Sequence, residues 1–573
     1  RFQKVAPVGS TFSATSDIIC LACHDKGKNA WAESAHANST DANETYKSGV
    51  GSAGALREFP TGAKVWQMAC LNCHDTHTVP GARRLLREGT DSATAPKQGG
   101  YSATEETCFQ CHLPVAQSIL ESASNAVPDI KTDFTTAGNR RMPITTADQA
   151  TPGNAEKHDI VNADFQETQL SLGQGDLLNR HAECPDCHNP HRVMKNQSFN
   201  GSGAATASTH PHVNTAQHSN LASGALRGNW GVEPTYTDTA FMSLPSGYTV
   251  KKGDGGSGAS TARSASHVTR EYQICLKCHS DYGYTDDGLF TTLTRPALGG
   301  FAGGTASGTN GLTRYTNQAM EFAANANDSL TGTDQKEASN ASDNRRSFHP
   351  VIWPTGRTLA ERGGMANLWL SPWNGSSGGF VGNQTMYCSD CHGSATADGT
   401  STPNAGKPWG PHGSANNFIL KGTWDTSTGS GQTTGICFRC HNYSNYATRN
   451  STQSGFCCEK DSNLHGYHAD KIGKMRCTWC HVAVPHGWKN KAFLVNLNSV
   501  GAEGGLGGIQ VRNGQTALYN RPPYYQGAVL KVKTWKKSGS WTAGACGSSG
   551  APGNGSTGRS WMRDSSENCA NPP

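Results

Sequence analysis

The chain has 573 residues, of which 35% are hydrophobic and 16% are charged, and 67 are glycine. This composition leaves too little aliphatic side chain for several large conventional cores and too little charge for a typical disordered chain, so we expect something other than protein to fill the interior. No run of 18 apolar residues occurs, which excludes a membrane-spanning helix.

The chain begins RFQKVAPVGS, without the basic and apolar regions of an export signal, and the expectation is that such a signal has been removed. Helix patterns are short. The segment TCFQCHLPVAQSILESASNA from Thr107 predicts an amphipathic helix that buries Leu113, Ile119 and Leu120. The segment REYQICLKCHSDYG from Arg270 predicts a second, shorter helix of the same kind.

Loop patterns dominate the remainder of the chain. The segment KKGDGGSGAS contains a literal G-x-G-x-x-G at Gly253, Gly255 and Gly258, but no βαβ pattern surrounds it, so a loop is predicted there and not a nucleotide site. The segment GAVLKVKTWKK from Gly527 alternates apolar and basic residues, which predicts a half-buried strand.

Cysteine spacing carries the strongest signal, because sixteen of the 20 cysteines lie in eight C-x-x-C-H motifs. A C-x-x-C pair alone fits a zinc half-site or a thiol redox pair, but neither requires histidine in the next position. C-x-x-C-H is the signature of covalent haem c attachment. On one helical turn the residues i, i+3 and i+4 share a face, so two thiols can bind the porphyrin vinyl groups while the imidazole binds the iron. Eight haem c groups are therefore predicted.

The predicted thioether cysteines are Cys20, Cys23, Cys70, Cys73, Cys108, Cys111, Cys184, Cys187, Cys275, Cys278, Cys388, Cys391, Cys437, Cys440, Cys477 and Cys480. The predicted proximal iron ligands are His24, His74, His112, His188, His279, His392, His441 and His481.

These motifs also limit which fold and which partners we expect. We expect a mostly irregular, loop-rich fold with short helices around the motifs, few short strands and a core of stacked haems. The motif spacing is irregular, which excludes a solenoid repeat. Residues 1–486 would form a haem-bearing body and residues 487–573 a haem-free tail with some β structure. Because eight haems bring about sixteen propionates, the formal charge of +5 predicts neither a nucleic-acid nor a membrane partner.

The other 14 of the 22 histidines decide whether the irons are open or closed. An iron with one protein ligand is open to chemistry, whereas an iron with two transfers electrons. His77 follows His74 too closely to bind the same iron from the opposite side, so we expect it to bind the iron of a neighbouring haem. His191 and His486 follow their motifs in the same way. A propionate partner or a hydrogen-bonded surface histidine is the alternative at each position, and methionine ligation is not expected.

The predicted distal ligands are His36, His77, His158, His191, His349, His412, His468 and His486, with His181, His212, His218, His267 and His465 in reserve.

Four cysteines remain outside the motifs: Cys457, Cys458, Cys546 and Cys569. A disulfide between the adjacent Cys457 and Cys458 would strain their own peptide link. In an oxidising compartment each is therefore expected to pair with one of the two tail cysteines. Free or metal-binding cysteines are the alternative.

The stretches CHDTH and CHNPH resemble the C-x-x-C-H-x-x-H units of multihaem c-type cytochromes from metal-respiring bacteria, in particular those that polymerise into extracellular filaments. EKHDIVNADF followed by CPDCHNPH, and SFHPV after the fifth motif, are similar to segments of a hexahaem filament cytochrome. The resemblance is scattered over residues 20–486 and does not reach the tail, and this chain has eight motifs rather than six.

The resemblance implies an electron carrier in which eight haems, each bound by two histidines, stack edge to edge and at right angles in alternating pairs. It also implies an extracellular or cell-surface location, with the periplasm as alternative. The implied partners are further copies of the chain in a filament, other multihaem cytochromes and extracellular electron acceptors such as metal oxides, electrodes and partner cells.

Two alternatives stay open. The first is a discrete surface or periplasmic electron shuttle that does not polymerise. The second is an octahaem reductase of nitrite, hydroxylamine or tetrathionate, which requires at least one open iron. Several such enzymes carry C-x-x-C-K, which does not occur here. The sequence therefore favours an electron carrier over an enzyme, with no catalytic residue.

Overall fold

The computed structural model describes residues 18–24, 28–75, 85–88, 103–121, 127–135, 155–158, 160, 182–202, 219–236, 245–280, 282, 318–322, 347–355, 359, 366–374, 380–396, 408–423, 435–448, 454, 456, 463–466, 477, 481, 485–488 and 491–494. Among these residues no named α-helix exceeds six residues and no strand exceeds five. The prediction of a loop-rich chain with short helices and few strands is confirmed for this part of the chain.

The α-helices are Ile18–Cys23, Lys28–Ala32, Ala53–Leu56, Val65–Met68, Ala103–Cys108, Lys131–Phe134, Cys184–Cys187, Glu271–Cys275, Gln318–Glu321 and Tyr443–Ala447. The 3-10 turns are Ala69–Asn72, Gly224–Leu226, Ala366–Leu368, Cys388–Asp390, Asn417–Ile419, Ile436–Arg439 and Lys491–Phe493.

The long helix predicted from Thr107 does not form, and this prediction is wrong. The helix Ala103–Cys108 ends at the first motif cysteine, and Pro114, which lacks an amide hydrogen and disfavours a helical residue before it, follows shortly after. Leu113 and Leu120 are nevertheless buried, because the chain folds back and Leu120 forms a β-bridge with Tyr46. The shorter helix predicted near Arg270 is confirmed as Glu271–Cys275.

Three two-stranded antiparallel sheets are present in the described residues. Strand β1 (Glu156–Lys157) pairs with β5 (Gly413–Ser414), and β4 (Ser347–Phe348) pairs with β6 (Gly487–Trp488). The hairpin of β2 (Gly231–Thr235) and β3 (Gly247–Lys251) is the longest. The β1–β5 and β4–β6 sheets join segments that are distant in sequence. The predicted iron ligands His158 and His412 flank the first of these sheets, and His349 and His486 flank the second.

The residues of the G-x-G-x-x-G sequence lie in a loop, as predicted. Gly253 has φ +88° and Gly258 has φ +74°, values that glycine adopts without the strain that a side chain would cause. The strand predicted from Gly527 lies outside the described residues. Beyond residue 486, strand β6 pairs with β4, and Leu494 forms a bridge with His481.

Within the described residues, apolar side chains form several small clusters. These clusters lie beside motif cysteines or predicted iron ligands, as expected if side chains line cofactors. One of them contains Val232, Tyr272, Leu276, Ala319, Phe322, Val351, Ile352, Trp373 and Met386, packed against Cys388, Cys391 and Cys440. In the described residues no helix is long and apolar enough to cross a lipid bilayer.

Strand β6 begins with a glycine because the chain approaches closely there. A Cβ on Gly487 would lie 1.8 Å from the carbonyl oxygen of Glu321, a backbone atom that cannot move without the helix Gln318–Glu321. We expect Gly487→Ala to lower the free energy of unfolding by about 1–3 kcal/mol, as overpacking does. Gly247→Ala, where nothing lies within 4 Å of the added methyl group, is the matched control and should change it by less than about 1 kcal/mol.

Thermal unfolding followed by circular dichroism measures both variants. Equal midpoints for Gly487→Ala and the unsubstituted chain would contradict the packing of β6 on this helix.

Candidate functional site

In all eight C-x-x-C-H motifs a hydrogen bond of the helical type joins the last residue to the first. In each motif the histidine amide donates to the carbonyl oxygen of the first cysteine, at 2.8–3.0 Å. This i+4 to i hydrogen bond sets the first cysteine and the histidine on the same side of the turn. The local geometry expected from the spacing is therefore present at all eight positions.

The motif thiols do not have the character of a thiol redox pair. Burial raises the pKa of Cys73, Cys187 and Cys391 to about 12. A reactive C-x-x-C pair instead requires a thiol with a lowered pKa, since the thiolate is the reactive form. At these three motifs the thiol redox alternative is disfavoured.

Seven motif histidines each face a second imidazole from another part of the chain. The ring centroids are 6.1–6.5 Å apart, and the angles between the ring planes range from 8° to 81°. The pairs are His74 with His191, His112 with His36, His188 with His412, His279 with His158, His392 with His486, His441 with His349, and His481 with His465.

These separations fit two imidazoles on opposite sides of one metal ion. With a metal–nitrogen bond of about 2 Å, the ring centroids of such a pair lie about 6.3 Å apart. Ordinary aromatic pairs spread over about 4.5–7 Å. A nearly constant distance combined with variable ring angles is the pattern that a shared metal produces, because each ring can rotate about its own metal–nitrogen bond. The paired residues therefore fit the axial ligands of a haem iron.

The second ring nitrogen of half of the fourteen paired histidines is held by a backbone carbonyl oxygen. Seven Nδ1 atoms lie 2.6–3.2 Å from a backbone carbonyl oxygen. A carbonyl oxygen only accepts, so Nδ1 carries the proton and Nε2 is left to bind a metal. The seven are His36, His112, His158, His188, His349, His392 and His481.

Burial keeps several of these rings neutral. It lowers the pKa of His112, His188 and His392 to about 4 and that of His279 to about 3. At pH 7 these imidazoles are uncharged, which is the form that binds metal ions.

The imidazoles from outside the motifs are linked to one another. At the end of β1 the amide of His158 donates to the carbonyl oxygen of His412 at 3.0 Å, and Nδ1 of His158 lies 2.6 Å from the carbonyl oxygen of Pro411. We call this set of contacts a histidine ladder. It locks two ligands that belong to two different imidazole pairs.

A second histidine ladder joins β4 to β6. The amide of His349 donates to the carbonyl oxygen of His486 at 3.1 Å, and Nδ1 of His349 lies 2.6 Å from the carbonyl oxygen of Pro485. A related contact brings Nδ1 of His36 within 2.8 Å of the carbonyl oxygen of Pro190, the residue before His191. In all three cases a Pro–His dipeptide holds the ring of another ligand.

Motif cysteines meet at three further junctions. The thiols of Cys108, Cys388 and Cys477 lie close enough to Cys184, Cys275 and Cys437, respectively, to raise the pKa of each of these three cysteines. Buried carboxylates reinforce two of them: Glu105 accepts from the amide of Cys184 at 3.0 Å, and Glu271 accepts from the amide and hydroxyl of Ser389 at 2.8 and 2.7 Å.

Glu271, Cys275 and Cys388 also offer three ligand atoms within 4.8 Å of one another, a set that suits a metal ion. The two thiols come from different motifs, and each is a predicted haem attachment point. Metal binding and haem attachment would therefore compete for the same sulfur atoms.

Some predicted ligands stand apart from these pairs. Among the described residues no second imidazole faces His24. The predicted ligands His77 and His468 lie outside the described residues, as do Cys480, Cys457, Cys458, Cys546 and Cys569 and the reserves His181, His212 and His218. His465, a reserve ligand in the sequence-based prediction, is the histidine whose ring faces that of His481.

The reserve ligand His267 packs inside the protein and does not face another imidazole in the described residues. It is buried, its Nε2 lies 3.1 Å from the carbonyl oxygen of Ser260, and its ring packs 5.6 Å from that of Phe199. No second imidazole faces it within the described part of the chain.

Sequence reasoning missed two acidic residues that approach paired histidines. Glu321 lies next to His486 and Asp133 next to His412, and each is followed by a phenylalanine that packs on the same ring. The dipeptides Asp–Phe and Glu–Phe, like the Pro–His dipeptides, were visible in the sequence, but nothing in it tied them to distant histidines.

No family model, no curated protein and no solved structure matches this chain.

The pairing of His465 leads to a spectroscopic prediction. If His465 is the second ligand of the iron bound by His481, His465→Ala should convert one ferric haem from low spin to high spin, because one axial position opens. His267→Ala should leave every haem low-spin, since that ring faces no partner imidazole. Electron paramagnetic resonance of the oxidised variants measures this. A high-spin signal from His468→Ala, with none from His465→Ala, would contradict the assignment.

Proposed function

We propose that this chain is an electron carrier with eight covalently attached haem c groups, each held by two cysteines and two imidazoles. Haem supplies a one-electron ferric–ferrous couple. The observation that carries the proposal is the set of seven imidazole pairs, each joining one C-x-x-C-H histidine to one histidine from elsewhere. A thiol or zinc function explains the cysteines but gives no reason for this second set of imidazoles.

The pairs favour a carrier over a reductase. At each of the seven pairs the second imidazole occupies the position that a substrate would need, and protein contacts on Nδ1 hold many of these rings in place. An octahaem reductase remains the alternative only for an iron without such a partner. For the iron of His24 we propose His77 as the second ligand, since it belongs to the adjacent motif.

The contacts between neighbouring sites support a continuous path for electrons. Pro–His contacts link the ligands of the second and third motifs, the fourth and fifth, and the sixth and seventh. Thiol contacts link the third and fourth, the fifth and sixth, and the seventh and eighth. The two kinds of junction alternate, so the sites would follow one another in a row in the order of the sequence, with stacked haems at its core.

The assembly and location are part of the proposal and rest on the resemblance of the motifs. We propose a subunit of an extracellular filament that passes electrons to other multihaem cytochromes and to extracellular acceptors. A row of sites with free ends suits continuation from one copy to the next. A discrete surface or periplasmic shuttle has the same internal chemistry and differs only in assembly.

Haem content and spin state test the proposal together. The purified holoprotein should contain eight haems per chain by the pyridine haemochrome assay, and electron paramagnetic resonance of the air-oxidised protein should show low-spin ferric iron only. Absence of covalently bound haem would overturn the proposal, and a stoichiometric high-spin signal in the unsubstituted protein would favour the reductase.

Assembly needs a separate measurement. Negative-stain electron microscopy of secreted material should show filaments whose subunit mass matches one chain. Monodisperse particles of a single chain, with full haem content, would favour the discrete shuttle.

A further inference from the structure

The ring of His486 has an unusual partner. Its Nδ1 lies 2.5 Å from Oε2 of Glu321, whose side chain is 0% exposed. Seven other paired histidines use a neutral carbonyl oxygen at this position, and the hydroxyl groups of Ser454 and Tyr446 contact His465 and His441. Of the ten paired histidines whose Nδ1 contact the structure describes, His486 is the one with a buried carboxylate at hydrogen-bond distance.

The protein holds this carboxylate from several sides. The helix Gln318–Glu321 is tied at its first residue, where the amide of Gln318 donates to the carbonyl oxygen of His279 at 3.0 Å. At its last residue, Gly487 packs against the carbonyl oxygen of Glu321. The ring of Phe322 lies 5.1 Å from that of His486. The contact is thus built by the fold and does not depend on a mobile surface side chain.

A similar arrangement around His412 shows what the longer side chain adds. The helix Lys131–Phe134 begins with an amide that donates to the carbonyl oxygen of His112 at 3.0 Å, and the ring of Phe134 lies 5.4 Å from that of His412. The acidic residue there is Asp133, one methylene shorter. Its Oδ2 stays 3.7 Å from Nδ1 of His412 and accepts from the hydroxyl of Ser394 at 2.6 Å.

We propose that Glu321 is a positioning residue that lowers the reduction potential of the iron bound by His392 and His486. This inference rests on the proposed haem function. A carboxylate that accepts from Nδ1–H draws the proton towards itself and makes Nε2 a stronger donor to the metal. The stronger donor favours ferric over ferrous iron, and burial of the carboxylate away from water increases the effect.

The decisive variant is Glu321→Gln in the full-length holoprotein. Glutamine keeps the shape and an accepting oxygen but removes the charge, so the site becomes like those with a carbonyl partner. Loss of a group that hydrogen-bonds a metal ligand typically changes the metal affinity or the activity of the site about 10- to 100-fold. A tenfold shift of the ferric–ferrous equilibrium towards ferrous corresponds to about 59 mV upwards.

Two further variants make the test specific. Glu321→Asp shortens the side chain towards the Asp133 geometry, so we expect a smaller upward shift of the same haem. Glu271→Gln is the matched control, because Glu271 is also a buried carboxylate beside a haem motif, and its carboxylate accepts from the amide and hydroxyl of Ser389. It should shift the titration much less than Glu321→Gln.

Haem content is measured first for every protein, and spectroelectrochemical titration and low-spin resonance positions follow. For Glu321→Gln we expect full haem content and an upward shift in the reduction potential of about one haem in eight. The resonance positions of that haem should also change. An unchanged titration at full haem content would overturn this inference and leave the proposed function standing. Equal shifts in Glu321→Gln and Glu271→Gln would also overturn it, since they indicate a general charge effect.

Absence of haem from the unsubstituted protein would overturn the proposed function and this inference with it. If Glu321→Gln does not fold, Glu321→Asp decides the question by the same titration, and an unchanged potential there overturns the inference.

Discussion

The structure depends on one constraint: two imidazoles from distant parts of the chain must be held at one fixed separation. On the proposed function, an error of a fraction of an ångström on either side would weaken a metal–ligand bond, and in the described residues loops rather than long helices carry the rings. The protein fixes many of these rings twice. A motif turn or a short strand holds the backbone, and in ten of the fourteen paired histidines Nδ1 contacts a carbonyl oxygen, a hydroxyl or a carboxylate. Pro–His dipeptides suit this role, since proline restricts the backbone and still presents a carbonyl oxygen.

A chain with so little regular structure must satisfy its backbone carbonyls in other ways. Buried lysines do part of this work. Nζ of Lys251 donates to the carbonyl oxygens of Arg263 and Ala265, both at 2.7 Å. Nζ of Lys421 donates to that of Trp409 at 2.7 Å and lies 3.7 Å from the centroid of the same indole ring. Burial lowers the pKa of Lys421 to about 7, so its charge is costly there, and both contacts offset part of that cost.

The sequence predicted the features that depend on local residue spacing, but not those that depend on contacts between distant segments. The turn of each C-x-x-C-H motif followed from spacing alone, and six of the eight histidines chosen as distal ligands face a motif histidine in the structure. Which imidazole meets which motif did not follow, because β1 and β5, like β4 and β6, pair across more than 100 residues of sequence. The helix predicted beyond Cys108 is absent. The prediction took the apolar residues for one face of a helix, whereas the chain turns at Pro114 and buries Leu113 and Leu120 without a helix.

The histidine ladders also couple neighbouring sites, which bears on how such a row would work. A backbone shift at His158 moves His412, because an amide–carbonyl hydrogen bond joins them, and the two rings belong to different imidazole pairs. The same holds for His349 and His486. In the described residues Asp133 lies beside His412 in one ladder and Glu321 beside His486 in the other, so one ring of each ladder has an acidic neighbour. On the proposed function, each ladder would join two irons of unequal potential, and the fold would set that inequality through one side chain at a time.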